Sequence, residues 1–315
     1  MKYIHCPLCE TDRTKLLFRR KDFTHRVSED EFCVVRCRNC SLVYINPRPT
    51  EEEIHLYYPE EFYDTHLTAE CLMREKERQL ALKYEFVKDL PPGRLLDIGC
   101  MKGEFMYFMQ QRGWKVCGMD FSTTPPNVFG LDIFYGDLES AGYLPESFDL
   151  ITLWAVLEHV YYPKKMLATV HRLLKRGGKV VLLVTNFKSL PGRFMRQDDI
   201  PRHMTMFTKR TLGNMLRHTG FRPDRFRFNC ELFGGVNRGV LNYLVKLAGG
   251  ERIDEIVAQN RTPVRWQEFS SQVRGKPYEW MLKIDSLDIR FTPCLDRLLD
   301  TLQFGFIMIA RATRT

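Results

Sequence analysis

The sequence predicts an α/β fold: a doubly wound, mostly parallel sheet with a small cysteine-rich module ahead of it and a helical insert near its end. Three observations predict it. Between residues 94 and 185, short apolar runs alternate with helix-patterned segments, the pattern of strands buried on both faces by crossover helices. Two Cys-x-x-Cys pairs stand in the first 40 residues, where a metal can hold together a module too small for a large core. After residue 230 the alternation stops and amphipathic helical patches replace it.

Composition narrows the class. With 315 residues, 44% hydrophobic and 27% charged, the chain is neither a fibre nor a disordered tail. The opening MKYIHCPLCE has no apolar leader-type run, and no stretch nears the ~20 apolar residues of a spanning helix. A cytoplasmic protein with no membrane span is therefore expected. Ten cysteines in such a chain point to metal ligands and buried thiols before disulfides. The net charge of +8 is concentrated, since residues 186–238 hold eleven Lys and Arg against four acids. A local positive field predicts an anionic partner.

Taken in order, Cys6-Pro-Leu-Cys9 and Cys37-Arg-Asn-Cys40 form two knuckles. Each places two thiolates on one tight turn, and together they complete the four-sulfur shell that zinc prefers. Cys33 lies near enough to exchange into the set, but the paired spacing selects Cys6, Cys9, Cys37 and Cys40. A shell closed by four protein ligands predicts a structural zinc. The alternation over 32–36 and 42–45 suits the short strands of a zinc ribbon spanning residues 1–50. Asn46-Pro47-Arg48-Pro49 closes it. Thr50 with Glu53 then reads as a capping box opening a helical connector, 51–92. Its amphipathic helix, over 67–90, stops at Pro91-Pro92-Gly93.

The core follows over 93–230. Residues 94–100 read as a buried strand entering Gly99-x-x-x-Gly103, and a helix at 104–112 stops at Gly113. Further strands are expected at 115–119, 131–134, 147–153 and 179–185. A helix at 163–174 and a Gly177-Gly178 turn precede the last of these. A strand at 221–229 and one at 302–310, within a final segment 302–315, flank an insert over 231–301. Ligands of such sheets bind beyond the carboxyl ends of the strands. That rule singles out Asp97, Gly99, Asp120, Asp137 and the segment from Trp154 to His159.

The runs LLDIGCMKGEF, VCGMDFS, YGDLE, FDLITLWAVLEHV and LLKRGGKVVLLVTN, in this order, resemble the motif series of class I S-adenosylmethionine-dependent methyltransferases. The resemblance covers about residues 80–230 and implies a Rossmann-like sheet of seven strands with S-adenosylmethionine as cofactor. It places Gly99, Cys100, Met101 and Gly103 in the loop under the cofactor's amino-acid moiety, where glycines let the backbone approach and a helix start near a carboxylate. Asp97 would lie near the ammonium or order that loop, and Asp120 would accept from the ribose hydroxyls. Phe121, Asp137 and Leu138 would meet the adenine, and Trp154 would border the same site. The sequence departs from the family pattern at Met101, where the family carries glycine. The Gly-x-Gly-x-x-Gly spacing of NAD sites is absent.

Two histidines are candidates for the general base, His159 in Leu157-Glu158-His159-Val160 and His203 in the segment 202–208. An imidazole of ordinary pKa, ~6.5, takes a proton from a phenol or enol near neutrality; the plainer alternative is that His159 orients its loop and His203 packs. A zinc ribbon, then Asn-Pro-Arg-Pro, then this core is similar to methyltransferases of sugar, quinone and natural-product pathways. The expected partner is accordingly a small or carrier-linked anionic acceptor. The insert would act as a lid, with Phe233, Tyr243, Trp266, Phe269, Tyr278, Trp280 and Phe291. An RNA methyltransferase gripping its substrate through ribbon and basic segment is a second reading, since some ribosomal-RNA guanine methyltransferases carry an N-terminal zinc module. Against it, Leu153-Trp154-Ala155-Val156 stands where an Asn-Pro-Pro-Tyr motif would. A third reading, a non-catalytic scaffold, runs against the intact Asp97, Asp120 and Asp137.

Overall fold

A computed structural model of the chain describes residues 1–22, 25–58, 68–122, 127–189, 199–233 and 276–315, and single positions at 192, 244, 248 and 250. For residues 276–286, 288 and 289 it describes the backbone alone.

The N-terminal module is built from β1 (Thr14–Lys21), β2 (Glu31–Cys37) and β3 (Val43–Ile45). Thr50 and Glu53 open one 3-10 turn, Ile54–Tyr57, and not an α-helix. The Thr50 amide donates to the Glu53 carboxylate at 2.8 Å, but that carboxylate also holds the Met1 ammonium. Helix α1 (Ala69–Tyr84) starts where the Thr68 hydroxyl accepts from the Cys71 amide. Then come β4 (Arg94–Ile98), α2 (Glu104–Gln110), β5 (Lys115–Asp120), β6 (Ile133–Tyr135) and β7 (Phe148–Trp154). The chain continues through α3 (Pro163–Leu173), β8 (Leu174–Thr185), β9 (Thr205–Met206), α4 (Lys209–His218) and β10 (Phe221–Phe228). It closes with α5 (Lys276–Thr301) and β11 (Ile307–Arg314).

Seven strands form one sheet in the order β10-β11-β8-β7-β4-β5-β6. β4 to β8 run parallel, and β11 is antiparallel to both neighbours. The continuous apolar strands are explained by burial on both faces. Leu96, Ile98, Val180 and Leu182 enter a core closed by α3 and α4, while Leu95, Val181 and Leu183 enter another closed by α1 and α2. Each such side chain contributes about 1.5–3 kcal/mol by leaving water. Strand order reverses between β4 and β7, which opens a crevice at their carboxyl ends.

Four boundaries differ from expectation. Helix α1 ends at Tyr84, not near 90, because residues 85–89 form turns. The Gly177-Gly178 turn lies inside β8: Phe148 pairs with Leu174 and Leu150 with Lys179, so residues 175–178 bulge out, Gly177 with φ 74°. The middle strand falls at Ile133–Tyr135, two residues late, because Asn127 caps the turn before it by bonding both backbone groups of Leu131. The terminal strand starts at Ile307, because α5 winds on to Thr301 and the chain needs residues 302–306 to turn, with Gln303 left-handed.

The ribbon is joined to the core. Its sheet takes a fourth strand from beyond β8, with Val43 opposite Met206 and Tyr44 opposite Thr205. Leu8, Leu42 and Tyr44 pack in the same apolar cluster as Phe207, Leu212 and Leu216. Arg202, fully buried, bridges Asp22 at the end of β1 and Asp199 at 2.8 and 2.7 Å. This basic residue is therefore neutralised inside the fold and adds nothing to a surface field. No helix among the described residues is long and apolar enough to cross a membrane. Of the insert, the patch at 240–247 apart from the exposed Leu244, with Tyr243, Trp266 and Phe269, lies outside the described residues, while Phe291 on α5 is exposed.

Candidate active site

The crevice between β4 and β7 opens into a cleft of about 1300 Å³. Its floor is the loop after β4. Gly99 has φ 70°, and a Cβ there would stand 2.4 Å from a Val156 methyl, so only glycine fits. Met101 is also left-handed, at φ 53°, which accounts for the glycine the family prefers there and shows that this chain keeps the turn without it. Gly103, at φ 84°, starts α2 and does not line the cleft. Cys100 lines the floor but sits in a small core with Met106 and Leu131, and burial pushes its thiol far up.

Two carboxylates end adjacent strands. Asp120, closing β5, accepts from the Met101 amide at 2.8 Å and the Ser122 amide at 3.0 Å, one on each oxygen. The remaining lone pairs are braced for two more donors, as a ribose diol supplies. Asp97 is 2% exposed and accepts from the Thr152 hydroxyl at 2.5 Å. Burial raises its carboxyl to about 7, against the pull of that hydroxyl and of the Lys83 ammonium. Phe121, Asp137 and Leu138 line the far end of the same cleft. Trp154 lines it too, edge-on to Phe105 at 5.0 Å, and its buried indole N–H has no partner among the described residues. An orphaned donor in the wall, a glycine-floored turn and a braced strand-end acid fit a nucleoside cofactor carrying an amino-acid tail.

The opposite wall brings parts together from across the chain. Tyr58, His55, Ile54 and Glu51 from the connector face Tyr161 and Tyr162 after β7. The Tyr58 hydroxyl lies 3.1 Å from Nδ1 of His159. The two predicted histidines do meet, ring centroids 4.6 Å apart, but only His159 lines the cleft and His203 packs behind it. Burial, with His203 alongside, holds His159 down at about 3, so its imidazole is neutral near neutrality. Donor atoms of Glu158, His159 and His203 lie within 4.8 Å of one another. The Tyr58 hydroxyl engages one ring nitrogen of His159, and Glu158 accepts from the Thr185 amide, so this is a hydrogen-bonded cluster.

Sequence reasoning missed Lys83, Tyr58 and Arg48. Lys83 lines the cleft with its ammonium 5.0 Å from the Trp154 ring centre. Its place on the face of α1 was legible from helical spacing, its nearness to Asp97 was not. Arg48 belongs to the Asn-Pro-Arg-Pro run; it donates to the Tyr161 carbonyl at 2.9 Å and lies over that ring at 4.8 Å. At the other end of the ribbon, the sulfurs of Cys6, Cys9, Cys37 and Cys40 lie within 4.8 Å of one another. Cys6–Cys40 and Cys9–Cys37 are 3.4 and 3.5 Å apart, near the edge of about 3.8 Å in a zinc–thiolate tetrahedron. The Asn39 and Cys40 amides point at the Cys37 sulfur, as donors to a thiolate would. The donor set fits the metal.

A switch-point cleft with these walls belongs to an α/β protein and has the shape and donors to suit a nucleoside cofactor. Residues 66–225, just over half of the chain, match the family model described as a methyltransferase domain, and the chain belongs to that family. Among curated proteins, it is similar to the ubiquinone biosynthesis O-methyltransferases of Nitrosococcus oceani and Pseudomonas entomophila. The first is 36% identical over 119 residues, 33% of this chain and 50% of that protein. The second is 33% identical over 103 residues, 30% of this chain and 44% of that protein. The chain thus spans about half the length of the curated relatives it matches. Among solved structures, a SAM-dependent methyltransferase from Archaeoglobus fulgidus is similar at 16% identity and a TM-score of 0.48, over 76% of this chain and 94% of that one.

Proposed function

We propose that the chain methylates a hydroxyl of a small aromatic acceptor, a quinone precursor or a molecule of that kind. The observation that carries this reading is the acceptor wall: Tyr58, Tyr161 and Tyr162 line one cleft with His159, the Tyr58 hydroxyl 3.1 Å from its Nδ1. Flat rings stack against such walls, and a neutral imidazole beside them can receive a proton. The relatives named for ubiquinone biosynthesis support the same class of acceptor. S-adenosylmethionine, when bound, supplies an electrophilic methyl group. The chain's own work is to hold and orient. Asp120 takes the ribose, Asp97 the ammonium and the Gly99–Met101 turn the amino-acid backbone, while Phe121, Asp137 and Leu138 border the adenine. The four cysteines hold zinc, which keeps the ribbon and, through it, the acceptor wall in place.

Calorimetric titration with S-adenosylmethionine and S-adenosylhomocysteine, followed by methyl-transfer assays on catechols and hydroxylated quinols, tests this. Asp120→Ala is expected to weaken both ligands about 10- to 100-fold, the loss of two hydrogen bonds to a charged group. Equal affinity in the variant would overturn the placement of the ribose. Transfer to RNA with none to phenolic acceptors would overturn the acceptor class.

A further inference from the structure

We propose that Tyr58 receives the acceptor's proton, passing its own hydroxyl proton to Nδ1 of His159. This rests on the reading of the acceptor as a hydroxyl compound. The geometry comes first: Tyr58 and His159 both line the cleft, and their polar atoms are 3.1 Å apart. In this relay Tyr58 is the donor: the ring's one N–H stands on Nε2 and Nδ1 holds a lone pair. The phenolic oxygen then keeps acceptor capacity for a substrate proton.

Arg202 fixes both members of this pair. Its guanidinium donates to the carbonyl of Tyr57, the residue before Tyr58, at 2.6 Å, while the next residue, His203, packs edge-on against the His159 ring at 4.6 Å. The guanidinium is itself clamped by Asp22 at 3.0 and 2.8 Å and by Asp199 at 3.0 and 2.7 Å. A buried arginine held at five points moves little, so tyrosine and histidine are presented in fixed register.

The proton balance closes. The acceptor's O–H breaks and its proton goes to the Tyr58 oxygen, while the Tyr58 proton goes to Nδ1. The acceptor oxygen uses its electron pair to bond the methyl carbon, and the carbon–sulfur pair stays with the donor's sulfur. An oxygen gaining a methyl becomes strongly acidic, so an imidazole of low basicity still accepts. The imidazolium later returns its proton to water. Among the described residues, the titratable and charged groups facing His159 are Tyr58, Glu158, His203, Asp199 and Arg202. Because the ring is neutral down to about pH 3, the rate should show no limb near 6.5.

Two measurements test the relay. Nitrogen NMR of the ligand-free protein should show His159 with Nε2 protonated and Nδ1 bare; a proton on Nδ1 overturns the proposal whatever the acceptor proves to be. Tyr58→Phe should lower kcat about 100-fold, leave S-adenosylmethionine affinity unchanged, and convert a two-proton solvent-isotope inventory into a one-proton one. Wild-type kcat in this variant overturns the relay and leaves the hydroxyl-transfer function standing. Absence of transfer to any hydroxyl acceptor by the unaltered protein overturns both.

Discussion

Asp97 shows how one buried side chain links binding to pH. Burial lifts its carboxyl to about 7, with the Thr152 hydroxyl and Lys83 pulling the other way. Near neutrality the ligand-free protein is thus a mixture of acid and carboxylate at this position. A cofactor ammonium arriving beside it favours the carboxylate and expels the proton. Affinity for S-adenosylmethionine is expected to rise as pH rises through 7, with net proton release. Calorimetry in buffers of different ionisation enthalpy reads this directly, and Asp97→Asn should abolish the buffer dependence. A heat independent of buffer at pH 6.5 would place the ammonium elsewhere.

Among the elements, β9 carries most consequence for its two residues. By pairing Tyr44 with Thr205 and Val43 with Met206 it makes the ribbon part of the acceptor wall, because the Thr205 amide also donates to the Glu158 carbonyl at 3.2 Å. Removing zinc with a chelator, or Cys37→Ser, is expected to speed amide exchange in β2, β3 and β9 while β4 to β8 stay protected. Methyl transfer should fall by more than 10-fold with cofactor affinity retained, since the cofactor wall rests on β4 and β5. Loss of the whole sheet in one transition would show that ribbon and core are a single folding unit. Legibility also varied by element. β4, β5, β7 and β8 could be read because they are buried on both faces and hence continuously apolar. β6 is half-buried and three residues long, too short to carry a period. In residues 302–310, Phe304 and Phe306 look like strand residues, yet the end of α5 forces a turn through them.

For the molecule as a whole, the neutral His159 sets a cost at acid pH. The unfolded chain protonates this imidazole below its ordinary value of 6.5, whereas the folded one resists down to about 3. The unfolded state therefore binds more protons in that window, and stability falls as pH drops from 6.5 towards 3. Urea unfolding at stepped pH should show this slope, and His159→Gln should flatten it. A midpoint unchanged between pH 7 and 5 would mean the histidine cluster is charged in the folded state. The positive charge of segment 186–238, counted along the sequence, also reads differently in three dimensions. Arg202 is consumed by Asp22 and Asp199, and Arg222 reaches Asp224.

The sequence by itself determined what depends on local pattern. Apolar runs and helical spacing define the doubly wound sheet, paired cysteines at knuckle spacing define a four-sulfur shell, and acids at strand ends mark the candidate cofactor site. Each of these is written within a few residues, so chain statistics and side-chain chemistry suffice to read it. Only the tertiary structure decided the cleft wall that carries Tyr58 and His159. Tyr58 meets His159 across 101 positions, and Arg202 meets Asp22 across 180. Packing the ribbon against the sheet brings these groups together, and no local period encodes which distant side chain will fill a given place in that wall.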